Sequence, residues 1–227
     1  MGTLHLVRHG QASFGTDDYD RLSDLGGRQS TMLGTAWEAG GAVFTDAIAG
    51  SMKRHAQTAI AAIDASGLGA LRQAQEPGIP EVSGYEIDDG WNEFDHLAIA
   101  QAYDPDALQH DSKAFQATLN SALAAWREGG PGFTEPYAEF RGRVMTAFTA
   151  ACEVASRKGR RVLVFTSGGP IAMVVSHLVA GDDSAFQRLN DVVVNSAVST
   201  VLVGSTGPRL LTFNDHGHLP ASDVTFR

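Results

Sequence analysis

The sequence is poor in cysteine, poor in basic charge and free of long apolar runs, and each shortage removes a class of function. Cys152 is the only cysteine among 227 residues, so no internal disulfide can form and a reducing, cytoplasmic setting is expected. It falls inside an apolar helical pattern and reads as a buried structural thiol. No run of about eighteen apolar residues occurs, so no transmembrane helix is expected. The opening residues read as a strand interrupted by Arg8-His9, not as a signal peptide. Lys and Arg total 17 against 26 Asp and Glu, a net charge of −9, which argues against nucleic acid or an anionic membrane as partner. Catalytic signatures are missing too. There is no Gly-x-x-x-x-Gly-Lys-Ser/Thr loop for a nucleotide. There is no His-Glu-x-x-His and no cysteine pair for zinc, and no Gly-x-Ser-x-Gly elbow for a serine hydrolase. Neither a metal nor a cofactor is expected, and no internal repeat or low-complexity tract occurs.

What is present suits one α/β domain over residues 1–227, since 43% hydrophobic residues supply one sizeable core. Leu4, Leu6 and Val7 suit a buried strand. Arg8, His9 and Gly10 then arrive where a parallel strand ends, which is where open α/β sheets hold ligands. An arginine offers a planar fork of donors to a phosphate, and a histidine can serve as nucleophile, acid or base. A polar loop over 11–18 follows. Ser23 then caps a helix that Gly40-Gly41 stops. Asp46–Ala49 reads as a second strand and Met52–Ala65 as a helix capped by Ser51, carrying Arg54 in its first turn. From about 71 to 135 the pattern turns irregular and acidic, with short helices expected at Leu97–Tyr103 and Ser112–Trp126. This stretch is too polar for a core of its own and is read as an inserted cap over the active edge of the sheet. Pro136 opens a helix to about Arg157, and Arg160–Thr166 is a third buried strand. Ser167-Gly168-Gly169-Pro170 follows it as a turn, with a helix from Ile171 to Val179. Backbone N–H groups at that helix start suit an anion. Ser196–Gly204 and Arg209–Asn214 read as two last strands. The expected architecture is a three-layer sandwich with a mostly parallel central sheet.

Three strand–turn–helix units thus bring Arg8-His9, Arg54 and Ser167-Gly168-Gly169 to comparable positions, and the acidic loop supplies Glu93. With these motifs the chain resembles the histidine phosphatase superfamily, the phosphoglycerate-mutase-like fold. Leu6-Val7-Arg8-His9-Gly10 is similar to its signature, Leu22-Ser23-x-x-Gly26-x-x-Gln29 to the start of its first helix, and Arg54-x-x-Gln57-Thr58-Ala59 to its second arginine motif. Asn92-Glu93-Phe94-Asp95 and Asn214-x-x-x-His218-Leu219 resemble one bacterial branch. The resemblance implies phosphomonoester hydrolysis without a metal. His9 would become phosphohistidine, Arg8 and Arg54 would clamp the phosphoryl oxygens, and Glu93 would act as acid and then base. Gln11, Ser167 and Gly168 join Arg8 and Arg54 as substrate-binding residues. Glu86 is the second candidate acid, although a solvated loop carboxylate is its simpler reading. His96 is either pocket-lining or surface, and His55 and His177 read as structural. One departure stands out. The family usually carries a second histidine before the paired glycines, and Ser167 occupies its place here, which implies reduced efficiency. The alternative function is a phosphate-ligand binding or regulatory protein with little turnover. A phosphoglycerate mutase is disfavoured by Gln11-Ala12-Ser13-Phe14-Gly15 after the signature and by Phe94-Asp95-His96 after the acid. The expected partner is a phosphorylated small molecule, with a homodimer left open.

Overall fold

Leu4, Leu6 and Val7 are fully buried, and they make Gly2–Arg8 a strand (β1) in the middle of a six-stranded sheet. The computed structural model describes residues 1–13, 20–67 and 85–226. After β1 come α1 (Asp24–Ala39), β2 (Asp46–Ala49), α2 (Lys53–Ala65), β3 (Glu86–Ile87), α3 (His96–Tyr103) and α4 (Ser112–Arg127). Then follow α5 (Tyr137–Ser156), β4 (Arg161–Thr166), α6 (Gly168–Ala180), α7 (Phe186–Asn190), β5 (Val198–Gly204) and β6 (Gly207–Asp215). The strands lie in the order β3-β2-β4-β1-β5-β6. β3, β2, β4 and β1 are mutually parallel, and β5 runs antiparallel to both β1 and β6.

Alternation along the strands builds two cores, because successive side chains point to opposite faces. Leu4, Leu6, Val162 and Val164 meet residues of α5 and α6 on one face, including Phe140, Val144, Ile171 and Val174. Val7, Ala47, Ala49, Leu163 and Phe165 meet Leu33 of α1 and Ala59 and Ala62 of α2 on the other. Helices thus cover both faces of the sheet, giving the expected three layers.

The register sets up the site. Arg8 lies opposite Thr166, and Ala49 lies opposite Phe165. The carboxyl ends of β1, β4 and β2 are therefore level along one edge, and the three loops that leave them converge. Ser23 caps α1 by accepting from the Gly26 N–H at 3.1 Å, and Gly40-Gly41 ends that helix, with Gly41 at φ +61°.

Several boundaries differ from the sequence expectation. Ser51 does not cap α2: Met52 holds the N-cap position and makes no side-chain bond. The Ser51 hydroxyl instead accepts from Asn92 Nδ2 at 2.9 Å, which ties the α2 entry to the acid loop. Helix α6 starts at Gly168, three residues before Ile171, so the paired glycines are its first turn and not a preceding loop.

The described part of the excursion over 71–135 contributes to both the sheet and the core. Within it β3 adds an edge strand beside β2, while residues 71–84 lie outside the described residues, as do 14–19 of the polar loop. Its apolar side chains, Trp91, Phe94, Ile99, Leu123 and Trp126, join the core of the α5–α6 face. Cys152 is partly buried in α5, and burial pushes its thiol up to about 12.

Candidate active site

His9 follows β1 directly, and its backbone is pinned from both sides. Its N–H donates to the Thr166 carbonyl at 2.9 Å, and its carbonyl accepts from the Ser196 N–H and from Asn195 Nδ2, each at 3.2 Å. The ring is 6% exposed, with Nδ1 2.6 Å from the Gly10 carbonyl oxygen. A carbonyl only accepts, so Nδ1 carries the hydrogen and Nε2 keeps its lone pair. Burial, then Arg54, Arg8 and His55, hold the imidazole pKa well below the usual histidine range. The ring is neutral at neutral pH, as a nitrogen nucleophile must be.

Arg54, in the first turn of α2, is 6% exposed. Its Nη1 donates to Asp20 Oδ1 at 3.0 Å, and Asp20 Oδ2 also accepts the Lys53 N–H at 2.9 Å. One carboxylate therefore satisfies the start of α2 and fixes the guanidinium. Arg8 Nη1 donates to the carbonyls of Val193 and Phe226, the latter at 2.9 Å. Its guanidinium passes beside Gly168, with Cζ 3.7 Å from where a Cβ on that glycine would stand. Both arginines act on His9 and on Glu93, so the two positive charges are shared by the candidate nucleophile and the candidate acid.

Glu93 reaches the same place from the excursion. Its Oε2 accepts the Gly169 N–H at 3.0 Å, in the first turn of α6, and its Oε1 accepts the Phe94 N–H at 3.2 Å. A Cβ on Gly169 would collide with this carboxylate; only glycine lets the acid seat against the helix. Burial raises the Glu93 pKa, with the Gly169 N–H, Arg54 and Arg8 opposing. A carboxyl of raised pKa and a neutral imidazole thus share the same two guanidiniums.

The loop that carries Glu93 is held by Arg143 of α5, which the sequence did not single out. Its Nη1 donates to the Asn92 carbonyl at 2.6 Å and the Gly90 carbonyl at 3.2 Å, and its Nη2 reaches the Glu93 carbonyl at 3.4 Å. Glu135 returns a two-point pair to the same guanidinium at 2.6 and 3.0 Å. Phe94 anchors the other side, edge-on to Phe140 at 5.4 Å and tilted on Trp126 at 5.0 Å. The Thr166 hydroxyl donates to the Trp91 carbonyl at 2.6 Å, fastening the loop to the end of β4.

His55, read as structural in the sequence, is fully buried and lies close to these residues. Its Nε2 is 2.7 Å from Ser167 Oγ, and its ring centroid is 5.7 Å from that of His9. Gly50 makes the room, since a Cβ there would collide with His55 Nδ1. The available signal was helical spacing: His55 shares the buried stripe of α2 with Thr58, Ala59 and Ala62.

The other candidates are spread more widely. Gln11 Oε1 accepts from the Ser23 hydroxyl at 2.9 Å, so part of that side chain serves the α1 entry. Glu86 is exposed on the edge strand β3, His96 begins α3, and His177 is exposed in the last turn of α6. Among the described residues no group of three or more His, Cys, Asp or Glu side chains could hold a metal ion. No helix among them is long and apolar enough to cross a membrane.

Comparison with known families supplies the deciding observation. The model of the histidine phosphatase superfamily (branch 1) matches residues 4–216. The chain belongs to that superfamily. Solved structures agree on the fold. A phosphoglycerate mutase from Bacillus anthracis superposes with a TM-score of 0.64 at 18% identity, covering 96% of this chain and 94% of that one. The alpha-ribazole phosphatase from Shigella flexneri gives 0.62 at 16% identity, over 94% and 96% of the two chains. The mycobacterial glucosyl-3-phosphoglycerate phosphatase, solved with inorganic phosphate, gives 0.62 at 20% identity, over 97% and 100%. A search of curated protein sequences finds no significant match. Membership of the histidine phosphatase superfamily supports phosphoryl transfer or hydrolysis as the general class of chemistry.

Proposed function

We propose that this histidine phosphatase superfamily member hydrolyses phosphomonoesters through a phosphohistidine on His9. One observation carries the proposal. A neutral imidazole with Nε2 free shares two guanidiniums with a carboxyl group of raised pKa. Arg8 and Arg54 bind the phosphoryl oxygens and offset the charge that builds in the transition state. His9 Nε2 attacks phosphorus as the bond to the ester oxygen breaks, and the protonated Glu93 gives its proton to that oxygen. Glu93, now a carboxylate, takes a proton from water as the water oxygen attacks phosphorus. The N–P bond breaks and returns the electron pair to Nε2. The guanidiniums supply the positive charge that a metal would otherwise bring, so the reaction proceeds in the presence of a chelator.

Ser167, in the place of the family's second histidine, lowers the expected rate. A hydroxyl at the start of α6 can donate to a phosphoryl oxygen, but it brings no charge. Hydrolysis is favoured over transfer between hydroxyls by the departures from the mutase pattern at residues 11–15 and 94–96. The test is phosphate release from p-nitrophenyl phosphate with and without EDTA, by the wild-type protein and by His9→Ala. The reading expects chelator-resistant release that His9→Ala abolishes. Tight phosphate binding with no release would instead favour a phosphate-responsive binding protein.

A further inference from the structure

We propose that Asn214 and His218 are positioning residues that hold the segment between α7 and β5, so that this segment fixes Arg8 and His9 in place. The inference rests on the phosphatase reading above and gives a role to the Asn214-x-x-x-His218-Leu219 motif, which the reaction itself leaves unused.

The segment over 191–197 touches both groups. The Val193 carbonyl accepts from Arg8 Nη1, and the Ala197 carbonyl accepts the Arg8 N–H at 3.0 Å. The Ser196 N–H and Asn195 Nδ2 both donate to the His9 carbonyl, each at 3.2 Å. Asn214 brackets the first of these contacts. Its Oδ1 accepts the Val194 N–H and its Nδ2 donates to the Val192 carbonyl, both at 2.7 Å. One side chain thus fixes the chain on either side of Val193. His218 secures the second contact. Its Nε2 lies 2.6 Å from Ser196 Oγ, and that Oγ lies 3.2 Å from the Gln29 carbonyl oxygen. Either tautomer of His218 closes the bond to Ser196, since a hydroxyl both donates and accepts. Leu219 completes the hold by packing with Val194 and Ala197 in a small buried cluster.

Backbone conformation marks the same two places. Among the described residues, Ser196 and Asn214 are the non-glycine residues with φ in the left-handed region, at 64° and 62°. Side chains with a Cβ are disfavoured there, serine more than asparagine. A serine keeps such a conformation only where its surroundings over-determine it, and such residues cluster at active sites. Here the surroundings are the His218 contact and full burial of Ser196. A relaxation of Ser196 to negative φ would move the peptide groups that meet His9 on one side of it and Arg8 on the other. Groups fixed before the reaction need no reorganisation during it, so the hold acts on rate as well as on stability.

The experiment measures kcat, KM and inhibition by inorganic phosphate with p-nitrophenyl phosphate as substrate, and melting temperatures as the folding control. His218→Leu loosens the contact that fixes His9, so kcat should fall by about 10-fold while phosphate inhibits as in wild type. Asn214→Gly keeps the left-handed backbone without strain but loses both side-chain bonds, which loosens the hold on Arg8. Phosphate inhibition should weaken by about 10-fold, and KM should rise with it. His218→Gln, which keeps a hydrogen-bonding group, should recover part of the lost kcat. Ser196→Gly keeps the N–H and removes the hydroxyl, so it should lower kcat as His218→Leu does. The double variant of those two should be no slower than either, because both break one contact. If His218→Leu unfolds, Ser196→Gly and His218→Gln still form the comparison; if Asn214→Gly unfolds, Asn214→Asp removes the donor alone. Wild-type values in the folded variants, single losses that multiply in the double variant, or losses that follow melting temperature with no split between kcat and phosphate inhibition would each overturn the proposal. Trapping a phosphoryl group on His9 tests the reaction itself and separates the two failures. Without that adduct the phosphatase reading falls, and the ring-nitrogen NMR signals of His9 in the free protein decide the positioning role. His218→Leu should move them, and His177→Leu, at an exposed site, should not; unmoved signals in His218→Leu would overturn it.

Discussion

The site has two halves of different construction. One half stands on strand ends: Arg8 at the end of β1 and His9 just beyond it, Arg54 after β2, and Ser167 to Gly169 after β4. Its geometry comes from the sheet, whose parallel register levels those ends. The other half is Glu93, on a loop between β3 and α3. The fixing there comes from side chains, with Arg143 donating to the loop carbonyls and Phe94 packing on Trp126 and Phe140. Backbone hydrogen bonds place the proposed nucleophile, and one guanidinium with an aromatic cluster fixes the loop that carries the proposed acid. Damage to the first half should therefore stop all turnover, whereas damage to the second should depend on the leaving group.

The largest effect expected in the strand-end half, after loss of His9 itself, is at Arg54. Arg54→Lys keeps the charge but loses the planar fork that meets both Asp20 and a phosphoryl oxygen. Turnover should fall by about 10²–10³-fold on every phosphomonoester tested. A loss confined to one substrate would move Arg54 from the clamp to specificity.

Next comes Glu93→Gln, which should slow alkyl phosphates by about 10²-fold or more and aryl phosphates much less, since a phenolate leaves with little help. Equal losses would blur the two halves and place the proton donor elsewhere, with Glu86→Gln the control. Smaller again is Arg143→Ala. It leaves Glu93 in place but frees the loop, so it should reproduce the leaving-group pattern of Glu93→Gln at about 10-fold, the scale of a modest misplacement. A uniform loss across substrates would show that Arg143 supports the whole site and not the acid loop alone.

The smallest effect concerns pH and lies outside the site. Burial lowers His5 and His218 from about 6.5 to about 4. For a histidine whose folded pKa is depressed, the unfolded chain binds more protons between those two values. Stability is thus full above about 6.5 and declines as pH falls toward about 4. The melting temperature should drop across that window, and His5→Gln should flatten part of the slope.

The contrast between the halves also explains what could be read from the chain. Strand-end residues are legible because the motif is local: an apolar run fixes the strand, and Arg8-His9-Gly10 follows by chain continuity. The burial of the first strand was legible for the same reason, from Leu4, Leu6 and Val7. Arg143 was not, since its partner Asn92 is 51 residues away and an arginine in a long helix is usually a solvated charge. His55 was read as structural, but its contact with Ser167, 112 residues distant, could not be read from the chain. The exchange at Ser167 was visible as a lost histidine. The imidazole that meets it comes from another helix, and only packing of α2 against the start of α6 reveals it.

The central claim, that the strand-end half holds a nucleophile, is tested most directly by acid-free quenching of the reaction. Wild-type protein is mixed with radiolabelled phosphomonoester, denatured rapidly in alkali and digested, and the labelled peptide is sequenced. The account predicts one acid-labile, alkali-stable phosphoryl group on the peptide containing His9. It should be absent in His9→Ala and should accumulate in Glu93→Gln with an aryl phosphate, whose departure needs no acid. Normal phosphate release by His9→Ala, or label on another residue, would contradict it.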